Sequence, residues 1–208
     1  MPTADALVLG CSGAGKTVLI RQLRVLLAGK RGGRAGAKAA AAERAAFSLQ
    51  TTPTVGVEIH KLAALRLREV GAPMAATWRR YATDARMVVF VVDLARADLL
   101  ASAAAELLEL LLAPPGHGAA AADTVDTVDT VDTARARRPL FAVFLNKSDA
   151  PHPAAREDVD AVLRLGDLSA CLAQPLPVFR GSAATGEGCE ALLSWIVASK
   201  QELLLEED

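Results

Sequence analysis

The sequence has no excess of either charge. Its 208 residues carry 23 Lys and Arg against 24 Asp and Glu, a formal net charge of −1. No global field therefore draws it to nucleic acid or to an anionic membrane. Cysteine is scarce, with only Cys11, Cys171 and Cys189. Their spacing fits neither a zinc site nor a disulfide framework, so a reduced, intracellular (cytoplasmic) protein is expected. No apolar run approaches the ~18 residues needed to span a bilayer. The opening MPTADALVLG lacks the basic region and long apolar stretch of a signal peptide. Pro2 stands where myristoylation needs glycine, and the tail QELLLEED has no prenylation cysteine. No intrinsic membrane anchor is expected. Histidine is equally thin, and His60, His117 and His152 read as scattered surface positions.

What is present is a regular alternation. Apolar runs of strand length at 6–10, 86–93, 139–146 and 176–181 each precede a helix-length segment, at 16–29, 98–113, 154–165 and 188–205. The runs are continuously apolar, as in a parallel sheet covered on both faces. The stretch 55–69, VGVEIHKLAALRLRE, alternates more and is expected to form an antiparallel pair at the sheet edge. The pattern implies a three-layer α/β fold. Two stretches interrupt it. Residues 29–46, GKRGGRAGAKAAAAERAA, hold five basic residues against one acidic. Residues 114–138 hold three TVD repeats followed by Arg135, Arg137 and Arg138. Both are expected to be flexible insertions in a single domain spanning 1–208.

GCSGAGKT at 10–17 matches G-x-x-x-x-G-K-[ST], and it lies between a buried strand and an amphipathic helix. Gly10, Gly13 and Gly15, with Cys11, Ser12 and Ala14 between them, let the backbone curl so that its N–H groups face phosphates. The helix N-terminus adds its positive dipole end. Lys16 would reach the β- and γ-phosphates, and Thr17 would offer its hydroxyl to Mg²⁺. Cys11 is read as a small space-filling residue, although a helix N-terminus lowers a thiol pKa.

NKSD at 146–149 follows another apolar strand. Asp149 can accept from the N1–H and the exocyclic amine of guanine, while adenine leaves the carboxylate unpaired. Asn146 can hold the base edge and tie this loop to the phosphate loop, and the Lys147 stem can cover the purine face. In GSAATGEG at 181–188, Ser182, Ala183 and Ala184 are small enough for a backbone N–H, that of Ala183, to approach the guanine oxygen.

These residues together resemble the small GTPases, and among them the Arf-like (ADP-ribosylation factor-like) branch, over most of 5–200. The resemblance implies a mainly parallel six-stranded sheet with one antiparallel edge strand, GTP or GDP with Mg²⁺ as ligands, and no nucleic acid. TTPTVGVEI at 51–59 resembles that branch's switch I, which makes Thr54 the residue that closes on Mg²⁺ and the γ-phosphate, with Thr51 and Thr52 as alternatives. WRRY at 78–81 resembles switch II. REVGAPM, with LRLGDLSACL at 163–172, is most similar to the divergent branch numbered sixteen, whose context is Golgi and ciliary traffic. Effectors would meet segments 51–58 and 70–81 of a monomer, with an exchange factor and an activating protein as regulators. Arf proteins begin with a myristoylated amphipathic helix. Nine residues precede Gly10, most of them needed for the first strand, so that membrane coupling is not carried over.

The turn at 69–73 departs from the family pattern. Glu69 stands where an Asp binds Mg²⁺ through water. Ala72 keeps the N–H that a Gly would give the γ-phosphate, but the following Pro73 is expected to push it to extended conformations. Pro73 stands where a Gln would orient the attacking water. Slow or partner-dependent hydrolysis is expected. Three function classes remain: a GTP-dependent switch, a scaffold that binds nucleotide without cycling, and a P-loop kinase of small metabolites. NKSD and the lack of an Arg-rich lid oppose the third.

Overall fold

A computed structural model describes residues 4–30, 32–62, 65–112, 138–172 and 174–205. The insertion expected at 114–138 lies outside these residues, Arg138 excepted. The first strand, β1 (Ala4–Leu9), leads to α1 (Lys16–Gly29) and α2 (Gly33–Ala45). The pair β2 (Val57–Leu62) and β3 (Leu65–Val70) follows, then a 3₁₀ turn (Ala72–Thr77) and α3 (Trp78–Thr83). Next come β4 (Ala85–Asp93), a short 3₁₀ turn (Ala97–Leu99) and α4 (Leu100–Leu112). The described chain ends with β5 (Leu140–Asn146), α5 (Arg156–Leu163), α6 (Leu165–Cys171), β6 (Val178–Arg180) and α7 (Cys189–Leu205).

The six strands form one sheet in the order β2-β3-β1-β4-β5-β6. Among the described strands only β2 runs antiparallel, paired with β3 at the edge. The continuous apolar runs have a direct cause. Successive strand residues face opposite sides, and both sides are covered. In β4, Val88, Phe90 and Val92 pack with α3, α4 and α5, among Trp78, Leu100, Leu107 and Val159. Met87, Val89 and Val91 pack with α1 and α7, among Leu19, Ile20, Leu23, Leu192 and Ile196.

The order in which strands are added reverses at β1, with the parallel β3 on one side and the parallel β4 on the other. Such a reversal opens a crevice at the carboxyl ends of the strands, where ligands of open α/β sheets bind. The segments after β1, β3, β5 and β6 all meet there.

Two expectations are revised. Within the stretch 29–46, expected as a flexible insertion, Gly33–Ala45 form a helix. The alanines explain it, having the highest intrinsic helix propensity. Gly36 and Ala40 are its buried residues, and this small-residue face lies against α1 near Gly29. The helix expected over 154–165 is two helices, divided at Arg164, whose φ of 48° and ψ of 41° are left-handed. Its side chain reaches Asp167 in the next turn, Nε to Oδ2 at 2.7 Å.

Candidate functional site

The crevice is a cleft of about 370 Å³. Ser12, Gly13, Gly15, Lys16 and Thr17 line it from the phosphate loop, and Thr51, Thr52, Pro53 and Thr54 from the segment before β2. Glu69, Gly71, Ala72 and Pro73 line it after β3, and Asn146, Lys147, Asp149 and 182–184 after β5 and β6. Gly10, Cys11 and Ala14 stand behind the lining and hold it in shape. The Lys16 Nζ donates to the carbonyls of Gly10 (2.8 Å) and Cys11 (3.1 Å). An ammonium has three donors, so one is left for a ligand. Burial lowers the Lys16 pKa, and the Glu69 charge opposes that effect. Gly15 has a φ of 91°, and a Cβ there would overlap the Asn146 amide.

Asn146 is 2% exposed, and its amide joins two loops. Nδ2 donates to the Ala14 carbonyl (2.7 Å), and Oδ1 accepts from the Ala183 N–H (2.8 Å). The N–H expected to face the base is therefore given to Asn146. Ser182 is fully buried, and its Oγ accepts from the Ala184 (3.1 Å) and Thr185 (3.2 Å) N–H groups. Lys147 has a φ of 65° in a non-glycine residue, and its Nζ donates to Asp93 Oδ2 at 2.7 Å. Asp149 is exposed at the cleft.

Opposite these loops, two hydroxyls converge on Glu69. Thr17 Oγ1 donates to Glu69 Oε1 at 2.7 Å and Thr54 Oγ1 to the same oxygen at 3.1 Å. Glu69 is 1% exposed. Burial by itself would raise its pKa. The His60 imidazole, the two threonine hydroxyls and the Lys16 charge outweigh burial and hold the carboxyl below the usual glutamate value.

The turn after β3 is tightly tied. The Gly71 N–H donates to the Gly56 carbonyl (2.9 Å), and the Gly71 carbonyl accepts from Trp78 Nε1 (3.3 Å) and Met74 N–H (3.0 Å). Trp78 is a packing residue, 1% exposed and edge-on to Phe90 with centroids 6.2 Å apart. The extended residue is Gly71 (φ −62°, ψ 146°), and Ala72 opens the 3₁₀ turn instead of extending. Proline is tolerated in a first turn because the missing N–H has no intrahelical partner there.

Four participants were not read from the sequence. Asp93 pins Lys147, and its only sequence signal is an acid at the end of VVFVVD. Arg21 Nη1 holds the carbonyls of Ser48 (2.7 Å) and Gln50 (3.0 Å), ahead of Thr54. His60 is not a surface residue. Its side chain is 15% exposed and lies between Glu58 and Glu69. The fourth is Cys189, whose Sγ meets the Ser182 carbonyl at 3.5 Å. Cys11 is half-buried among core residues, and burial raises its pKa, with Glu106 adding to the effect.

Sheet order, helix layers and the position of the cleft define the fold of a small GTPase. The closeness extends to a solved structure described as the Arl6 BBS3 small GTPase of Trypanosoma brucei with bound nucleotide analogue GppNp. The match has a TM-score of 0.63 at 19% identity and covers 95% of this chain and 96% of that one. The chain belongs to the ADP-ribosylation factor family, whose family model matches residues 42–200. It is 28% identical over 196 residues to human ADP-ribosylation factor-like protein 16, covering 93% of this chain and 84% of that protein. It is 25% identical over 197 residues to ADP-ribosylation factor-like protein 1 of Saccharomyces cerevisiae, covering 92% and 84%. Membership implies guanine-nucleotide binding. The phosphate loop at 10–17 precedes the residues of the family match, so its assignment rests on motif and geometry.

Proposed function

We propose that this chain is a GTP-dependent switch with slow intrinsic hydrolysis. The observation that carries the reading is the meeting of Thr17, Thr54 and Glu69. One residue comes from the phosphate loop, one from the segment before β2 and one from the end of β3, and all three share the oxygen Glu69 Oε1. Three hard oxygen donors gathered at a phosphate-loop lysine suit Mg²⁺, which favours oxygen ligands and bound water. Thr17 and Thr54 would hold the ion, with Glu69 behind them. When bound, the ion would neutralise phosphate charge. The nucleotide's γ-phosphate would then favour the closed arrangement of 51–58 and 70–81, and its loss would loosen it.

Asp149 beside the cleft, on a loop anchored by Asn146 and Lys147, supports selection of guanine. The cleft residue at the water-orienting position is Pro73, which has no side-chain donor or acceptor. A glutamine-bearing small GTPase hydrolyses at roughly 10⁻⁴ s⁻¹ unaided, and an activating protein adds about 10⁵-fold. Hydrolysis here would fall below the unaided rate unless a partner supplies the missing group. Effectors would read the closed segments of a monomer, and recruitment through partners, in membrane or ciliary traffic, is the setting the family resemblance suggests. Pro73 also favours a second reading, a scaffold that binds nucleotide and does not cycle.

The test is to denature the purified protein, identify its nucleotide, and follow a single turnover of loaded GTP. Retained GTP with turnover below ordinary intrinsic rates is expected. Turnover at or above those rates would overturn the slow-hydrolysis reading. Partner binding that is equal in the GTP and GDP forms would favour the scaffold.

A further inference from the structure

Side chains two apart on a strand share a face, so Glu58 and His60 of β2 point the same way. In the antiparallel register Glu58 lies directly opposite Glu69 of β3. Carboxylates facing each other across a strand pair repel. Burying one of them without a counter-charge costs more.

His60 sits between the two acids. Its Nε2 is 3.6 Å from Glu58 Oε2 and 3.5 Å from Glu69 Oε2. These spacings are long for an N–H···O bond, which centres near ~2.9 Å. Buried His60 Nε2 and Glu69 Oε2 have no hydrogen-bond partner among the described residues. Three ligand atoms, one from each residue, lie within 4.8 Å of one another. The edge of a tetrahedron about an ion with bonds of ~2.0–2.1 Å is roughly 3.3–3.4 Å, close to the two spacings from Nε2.

We propose that Glu58, His60 and Glu69 form a second cation site, for a divalent transition metal of the Zn²⁺ class. It goes beyond the switch reading and is distinct from the Mg²⁺ position. Glu69 divides its two oxygens: Oε1 faces Thr17 and Thr54, and Oε2 faces the new site. An imidazole with two carboxylates suits Zn²⁺ and Co²⁺, whereas Mg²⁺ takes oxygen ligands. Glu58 is 54% exposed, which leaves the fourth position to water and opens a path for the ion. An ion here would relieve the Glu58–Glu69 repulsion and clamp β2 to β3 at the carboxylate behind Thr54.

The test uses the full chain loaded with GDP and excess Mg²⁺ and stripped of trace metals. Zn²⁺ is titrated by calorimetry and Co²⁺ by visible absorption. One ion per chain is expected, with the Co²⁺ spectrum of low coordination number. Affinity should fall at least about tenfold in His60→Asn and in Glu58→Gln. Glu58 is exposed, so its variant keeps the test valid if the His60 variant folds poorly. No binding in the presence of Mg²⁺, or binding that neither variant weakens, would overturn the proposal. GDP content is measured in the same samples. Loss of the nucleotide from the unaltered chain is a failure of the switch reading, whereas absent metal with GDP retained is a failure of this site alone.

Discussion

Asn146 connects residues that are 132 and 37 positions away, Ala14 and Ala183. Its amide is committed to both loops and so sets their spacing. The N-K-x-D pattern was readable because its four residues are adjacent in the sequence. That the Ala183 N–H goes to Asn146 was not readable, because it depends on how closely two loops pack. Cys189 shows the same limit. Its spacing from the other two cysteines says nothing of its surroundings, yet this thiol is 0% exposed, and burial raises its pKa from 9.0 to about 12. The unfolded thiol ionises first, so between those values the folded state holds more protons. The stabilising contribution is complete below pH 9.0 and is lost as pH rises toward about 12. One unit above the unfolded value that loss is ~1.4 kcal/mol. Cys189→Ala is expected to shrink the fall in stability between about pH 8 and about pH 10 by roughly that amount. Denaturant melts of both proteins at the two pH values check it, and an equal fall in both would contradict it.

At the scale of elements, the β2–β3 pair and the turn behind it decide how the cleft is closed. Gly71 is at a φ of −62°, which any residue adopts, so its need for glycine is steric. A Cβ there would overlap the Thr54 carbonyl. Gly71→Ala should therefore displace Thr54 and its bond to Glu69 while leaving the sheet folded. Nucleotide release in Mg²⁺ should become about tenfold faster, equivalent to ~1.4 kcal/mol. It should change little once Mg²⁺ is chelated. Stopped-flow release of a fluorescent GDP analogue measures both, and unchanged release in Mg²⁺ would separate Thr54 from nucleotide retention. The pair itself was legible from its alternating residues. The helix at 33–45 was not, because Gly/Ala composition resembles a linker, and its small-residue face is defined only by packing on α1. The ending of α5 at Arg164 was hidden for a related reason. Nothing in LRLGD marks a left-handed arginine.

On the scale of the whole molecule, a sheet buried on both faces carries five loop regions to one crevice, and a ligand there braces them together. A ligand that binds only the folded state at 100 times its Kd adds ~2.7 kcal/mol. For a chain of this size that is a rise of roughly 5–10 °C in Tm. GDP or GTP with Mg²⁺ should produce it, and ATP at the same concentration should not. Thermal scans compare the two, and an equal rise with ATP would remove Asp149 from base selection. Among the described residues no helix is long and apolar enough to cross a membrane.

The sequence by itself determined the strand–helix alternation and carries the GCSGAGKT pattern at 10–17, NKSD at 146–149 and a proline at 73. Each is a local pattern whose chemistry is carried by neighbouring residues. Tertiary structure alone decided which distant groups meet. Thr17 reaches Glu69 across 52 positions, and Asn146 reaches Ala14 across 132. His60 turns inward between two acids because strand register places it there. Such meetings depend on how the sheet and its loops pack, and no local spacing encodes that.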